Sequence, residues 1–386
     1  MNLYADILFN AKIYGPTSNI FSTPENGETT KLTTGNNWKD REFDFSSTYG
    51  LVFSSNRYDD AKPSLNPSPY QFNIFLSANK NQPTEQLTFG PERKISPKFN
   101  QTGKQDKIAY LKIIDKTKTE LRLYDLTNKK DTLMTSDYKI YDFSWSPTEN
   151  TILLSTSDKD NTYIRSLNIE NRAIENIISK KIDIPHNATS ETSKKLIIPE
   201  KENVFLVSPT WSPNGKNFAY ISHPLNQGYF KNLYTFDLKS KKSTQISTGN
   251  IHVQSPIAWS SDSQSIIYSA LKGYKFYYDE TLRDRVYEGG MHIFISTMDG
   301  KMQQLTKGDH FFGRPTFSPD NNRIAFLYSD QLGDSNKLAL KTMDKNGLNI
   351  TELYKRVDRE SFLLWADTTT DENQKPNQNT NKKIEK

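Results

Sequence analysis

The chain has 386 residues, 34% of them hydrophobic and 12% aromatic, with a formal net charge of +5. That length can bury a core as one large domain or two ordinary ones. Cysteine is absent, which excludes disulfides, thiolate metal sites and cysteine nucleophiles. Lysines and arginines are spread along the chain, so no nucleic-acid partner is expected, and no apolar run reaches the ~18 residues of a membrane-spanning helix.

The first segments, "ADILFNAKI" from Ala5, "SNIFST" from Ser18 and "TTKLT" from Thr29, alternate apolar and polar residues as strands do. From Phe43 onward a longer pattern recurs. It reads "FDFSSTYGLVFSS" at Phe43, "SPKFNQTGKQDKIAYLK" at Ser96, "DFSWSPTENTILLSTS" at Asp142, "PTWSPNGKNFAYIS" at Pro209, "PIAWSSDSQSIIYSA" at Pro256 and "PTFSPDNNRIAFLYS" at Pro315. One position is always aromatic: Phe45, Phe99, Trp145, Trp211, Trp259 and Phe317. "SFLLWAD" at Ser361 adds Trp365. Four of the five tryptophans therefore occupy this anchor position, which marks a repeat architecture.

Short segments of the type "QLT" precede each anchor, with their apolar residue at Leu32, Leu87, Leu133, Ile177, Ile246, Leu305 and Leu353. The distances from these to the next anchor are 13, 12, 12, 34, 13, 12 and 12. Each unit then holds four short strands, which cannot bury both faces alone and must stack around an axis. The expected fold is an all-β propeller over residues 1–367 as a single domain. Joining Ser361–Asp367 to the first three strands completes one blade from both chain ends, closes the ring and gives seven blades; six is the alternative. Residues 368–386 are polar and read as a disordered tail.

Three insertions depart from the repeat: 56–71, 180–205 and 271–291. In a four-stranded blade all three leave from the face that carries the 2–3 loops and the connections between blades, so this face is the expected working surface. Residues 271–291, read as a long loop, hold Tyr274, Tyr277, Tyr278, Arg283 and Arg285, residue types that binding hot spots favour. His252 and His310 each lie seven residues before an anchor, and Phe312 and Arg314 follow His310. These nine residues are the candidate contacts. Arg41, Arg93 and Arg359, with Lys39 and Lys139, are expected near the channel mouth with Arg314, diluted by Asp40, Glu92 and Asp358. No phosphate loop, zinc motif or nucleophile elbow occurs, so no cofactor, metal or catalytic residue is assigned.

The pattern of Pro, aromatic and Ser-Pro-Asp, then "IAF", an "IF" strand and "QLT", resembles the WD40-like repeat of TolB-type propellers, with the copies at Pro209, Pro256 and Pro315 the best matches. The resemblance implies a propeller fold and a non-catalytic binding role in the bacterial cell envelope, with a protein, peptide or polymer partner. It implies a periplasmic or exported location, with the cytoplasm as the alternative, and a monomer is expected. The second function carried forward is an enzyme of the oligogalacturonate-lyase type, acting on acidic oligosaccharide through His252, His292 and His310.

Overall fold

The computed structural model describes residues 5–12, 17–35, 37–57, 70–78, 83–136, 138–182, 204–224, 230–332 and 338–366. The polar tail and most of insertions 56–71 and 180–205 lie outside the described residues. The chain opens with β1 (Asp6–Ala11), β2 (Asn19–Thr23) and β3 (Thr30–Lys31). Four separate antiparallel sheets of four strands follow. They are β4 (Asp40–Ser46), β5 (Gly50–Ser55), β6 (Asn73–Ser77) and β7 (Glu85–Gln86); then β8 (Arg93–Phe99), β9 (Lys107–Ile113), β10 (Thr119–Asp125) and β11 (Lys130–Thr135).

The third is β12 (Lys139–Trp145), β13 (Thr151–Ser157), β14 (Asn161–Asn168) and β15 (Ile174–Lys181). The fourth is β16 (Val204–Trp211), β17 (Asn217–Pro224), β18 (Asn232–Asp237) and β19 (Lys242–Gln245). The remaining strands form one twelve-stranded sheet with β1–β3. They are β20 (Ile251–Trp259), β21 (Ser265–Asp279), β22 (Asp284–Thr297) and β23 (Met302–Gln304), then β24 (Phe311–Phe317), β25 (Arg323–Ser329), β26 (Leu338–Asp344), β27 (Thr351–Val357) and β28 (Leu364–Ala366).

Inside the large sheet, β22 meets β24 at one residue pair, Met291 with Phe311, and β27 meets β1 at one pair, Ala11 with Val357. Strand β28 pairs with β1 across three residues, Leu364–Ala366 against Asp6–Leu8.

The repeated sequence signals have specific structural work. Directly after the anchor, the hydroxyl of Ser212, Ser260 and Ser318 accepts the backbone N–H of Asn217, Ser265 and Arg323 and bonds the side chain two residues on. That local network makes the turn between the first two strands, where Asn321 takes a left-handed φ of 60°. In "QLT", the N–H of Leu32, Leu87, Ile246 and Leu305 donates to Ile20, Ile74, Leu233 and Ile293. The hydroxyl of Thr33, Thr88, Ser247 or Thr306 then accepts the N–H of that same partner at 2.9–3.0 Å. A side chain thus completes the ladder where the short outer strand ends.

The anchors lock neighbouring sheets. Trp145, Trp259 and Trp365 donate their indole N–H to the carbonyls of Lys98, Thr210 and Thr316, each one residue before the previous anchor. Phe317 packs against Ile267 and Ile293 from β21 and β22 and Ile324 and Phe326 from β25. The core consists of seven such clusters, each shared by two successive strand groups. Full burial of one such aromatic or aliphatic side chain stabilises by about 1.5–3 kcal/mol.

Segment 271–291 is not a loop. β21 and β22 run on as a ladder to Asp279 and Asp284, with Asp279 accepting the N–H groups of Thr281 and Leu282 in the turn. The insertion exceeds the repeat spacing by lengthening both strands of one hairpin rather than by adding a loop between them.

Candidate binding site

Six of the anchor strands, β4, β8, β12, β16, β20 and β24, carry an irregularity shortly before the anchor. The register shifts at Arg41/Phe43, Ile95/Lys98, Ile140/Asp142, Val207/Thr210, Gln254/Ile257 and Gly313/Thr316. At four of these the residue three before the anchor takes a left-handed φ: Glu42 at 44°, Ser96 at 53°, Ser208 at 55° and Arg314 at 54°. A bulge of this kind bends a strand and re-aims its side chains, and here it recurs at one level of the repeat.

Below this level the first strands β4, β8, β12, β16 and β20, with Phe362–Leu364, surround a cavity of about 850 Å³. It reaches Gln101, Pro147 and Pro213 in the turns between first and second strands. Its walls mix aromatic and proline residues, including Phe43, Tyr141, Trp145, Trp211 and Phe362, with polar ones such as Ser96, Gln101, Ser144, Ser208 and Thr210. Its charged groups are Glu42, Asp44, Asp142 and Lys98, three carboxylates to one ammonium in a chain whose formal charge is +5.

Each carboxylate is held by backbone. Glu42 accepts the N–H of Ser96 at 2.8 Å, and Asp44 accepts those of Phe45 and Phe99 at 2.9 Å, so both reach across to the next sheet. Asp142 accepts the N–H of Phe143 at 2.8 Å and lies 3.4 Å from the Lys98 ammonium. That ammonium also donates to the Phe143 carbonyl at 2.6 Å. Burial pushes the carboxyls of Glu42 and Asp44 up from the ordinary range, against the pull of their N–H donors and of Arg93, Arg41 and Lys98. Trp211 breaks the anchor pattern, because its buried indole N–H has no acceptor.

The residues that sequence reasoning singled out lie elsewhere. Tyr277 and Tyr278 are exposed on the long hairpin at 42% and 59%, and the Tyr277 hydroxyl donates to Glu288 at 3.0 Å. Arg283 sits in the hairpin turn with φ of 50°. The backbones of Tyr274 and Arg285 are in the hairpin strands; their side chains lie outside the described residues. Arg314 lines a second cavity of about 340 Å³ with Arg359, Glu360 and Gln254, and donates to the Glu360 and Ser361 carbonyls. Arg41 pairs with Glu360, so the expected cluster of positive charge is partly neutralised.

The histidines divide into two places. His252 packs on Phe230 at 4.9 Å, whereas His292 and His310 both contact the Phe312 ring, at 6.4 and 6.0 Å. Burial holds His252 and His292 below the ordinary imidazole range. Among the described residues no three His, Asp or Glu side chains converge as a metal-binding group. The cavity carboxylates were missed, although Glu42 and Asp142 stand three residues before an anchor, where other copies carry Ser, Pro, Arg or Phe, and Asp44 one before, where others carry Lys, Ser, Thr, Ala or Leu.

Solved structures with this fold include the β-propeller domain of the Trilobed protease from Pyrococcus furiosus, 11% identical, with 84% of this chain and 85% of that chain covered and a TM-score of 0.52. An oligogalacturonate lyase in complex with manganese is 12% identical over 91% of this chain and 86% of that one, at 0.60. A puromycin hydrolase S511A mutant complexed with PGG is 10% identical over 92% of this chain, at 0.62; the chain spans about half of that protein, 52%. TolB proteins are also among the matching structures, at TM-scores of 0.49 and 0.46. No curated protein matches in sequence. The expectation that the chain is not an enzyme is overturned by the family model that matches, which describes a region of a peptidase. That model, the dipeptidyl peptidase IV N-terminal region, extends over residues 91–331, more than half of the sequence, and the chain belongs to this family of propellers.

Proposed function

We propose that the chain is a peptide-recognition propeller that takes an extended peptide segment into the axial cavity. One observation carries the reading: the first strands of five successive strand groups converge on a single aromatic-walled space of about 850 Å³ with a few fixed polar groups. Binding pockets have this size and this composition. Membership in a peptidase-derived propeller family supports a peptide as the ligand.

The same reading includes seven blades over residues 1–367. The twelve-stranded sheet divides at its single-pair links into β20–β23, β24–β27 and β28 with β1–β3, which adds three blades to the four separate ones. The seven core clusters support a closed ring, since one of them joins Leu8 and Ile20 to Phe43 and Phe53. The TolB-type repeats support an exported protein, to be tested by fractionating cells that express the full reading frame. Among the described residues no helix is long and apolar enough to cross a membrane.

Trp145 and Trp211 line the cavity and serve as reporters. Titration with a library of unstructured hexapeptides should quench intrinsic fluorescence, and the quench should be lost in the W145F/W211F double variant. It should persist in a Tyr277→Ala/Tyr278→Ala variant of the hairpin. The reverse pattern would move the binding surface to the hairpin and refute the cavity. Mass spectrometry of the same mixtures reads any cleavage of the peptide directly.

A further inference from the structure

Glu42 and Asp44 line the cavity without a direct ion pair, and Arg41 and Arg93 act on Glu42, and Lys98 on Asp44, only at longer range. Among the described residues, the one ammonium that lines the cavity, Lys98, is already engaged by Asp142 and by the Phe143 carbonyl. Glu42 and Asp44 bond only backbone N–H groups of their own and the next sheet. A buried carboxylate that lacks a cation is costly, and an apolar ligand would deepen that cost by excluding water. An anionic ligand would add repulsion. The walls supply independent evidence: the faces of aromatic rings attract cations. A cationic side chain of a bound peptide supplies the partner that the carboxylates lack.

We propose that the cavity seats an arginine or lysine side chain of the bound peptide, with Glu42 and Asp44 as its carboxylate partners and the exposed rings of Tyr141 and Phe362 as its aromatic walls. The assignment rests on the peptide-recognition reading and adds the residue class that is read. The charged groups around the pair are Arg41, Arg93 and Glu360 beside Glu42, Lys98 beside Asp44, and Asp142 across the cavity. A bound cation favours the ionised form of both acids, so binding releases protons and affinity rises with pH.

The test uses two hexapeptides that differ only at a central residue, arginine or its uncharged isostere citrulline, titrated calorimetrically into the full chain. The arginine peptide should bind at least about tenfold more tightly, the scale of one charge-assisted hydrogen bond. Its heat of binding should change with the ionisation enthalpy of the buffer, as proton release requires. In Glu42→Gln/Asp44→Asn the preference should fall to within about threefold. Equal affinities in the wild-type chain would overturn the assignment and leave peptide recognition standing. No binding of either peptide would overturn both. The wild-type ratio does not depend on any variant folding, and thermal unfolding checks the double variant.

Discussion

Thr306→Val tests whether the "QLT" signal is scaffold in the way the structure implies. The Thr306 hydroxyl accepts the Ile293 N–H at 3.0 Å, and Ile293 is wholly buried in β22. Valine keeps the shape, so no cavity opens, but the amide loses its only acceptor at a place water does not reach. Leaving a buried donor unsatisfied costs about 1–3 kcal/mol, and the methyl that replaces the hydroxyl recovers only part of that. The net loss should be about 1–2 kcal/mol in urea unfolding. Amide exchange at Ile293 should accelerate by about five- to thirtyfold if it occurs through global opening. Exposed Thr248, whose hydroxyl makes only a 3.9 Å contact with the Met302 sulfur, is the control and should change stability by less than about 0.5 kcal/mol. If Thr306→Val were as neutral as Thr248→Val, the hydroxyl would not be completing the ladder. The equivalent roles of Thr33, Thr88 and Ser247 would fall with it.

Further outcomes follow from the same bonds. Trp259→Phe removes a hydrogen bond to Thr210 at 3.1 Å and Trp211→Phe removes none, so the former should cost about 1 kcal/mol more, read by urea midpoints. For Glu42 and Asp44 the folded pKa lies above the unfolded one, so between the two the folded chain binds more protons. Their contribution to stability is present in acid and is lost as pH rises from about 4 through the raised values. Asp44→Asn should flatten that part of the stability–pH curve, and an unchanged slope would count against burial as the cause. Gly290→Ala would set a Cβ 2.5 Å from the Gly308 carbonyl oxygen and 2.7 Å from the His292 ring, and should lower the unfolding temperature measurably.

The fold was legible because a propeller repeats its burial problem. The same aromatic must fill each gap between sheets and the same hydroxyls must close each turn, so Trp145, Trp211 and Trp259 recur in register with Ser146, Ser212 and Ser260. The hairpin at 271–291 was misread because an insertion beyond the repeat spacing reads as a loop, whereas its aromatic and β-branched residues extend β21 and β22 as one ladder to the turn at Asp279–Asp284. The cavity was illegible for a different reason. Glu42, Asp44 and Asp142 occupy ordinary positions of the repeat, and only the packing of the first strands around one space puts β4 and β12 on the same cavity. Attention went to the long insertions, where exposure and aromatic content are easy to see in sequence, and to arginines that the structure partly pairs or caps.

The most direct test of the account is to locate the peptide. An arginine-containing hexapeptide with a photoreactive benzoylphenylalanine beside the arginine is bound, irradiated and mapped by mass spectrometry. The account predicts adducts within Tyr141–Pro147 and Val207–Pro213, competed by unlabelled peptide, and none within 271–291. Adducts confined to the hairpin, with the cavity segments unmodified, would contradict it.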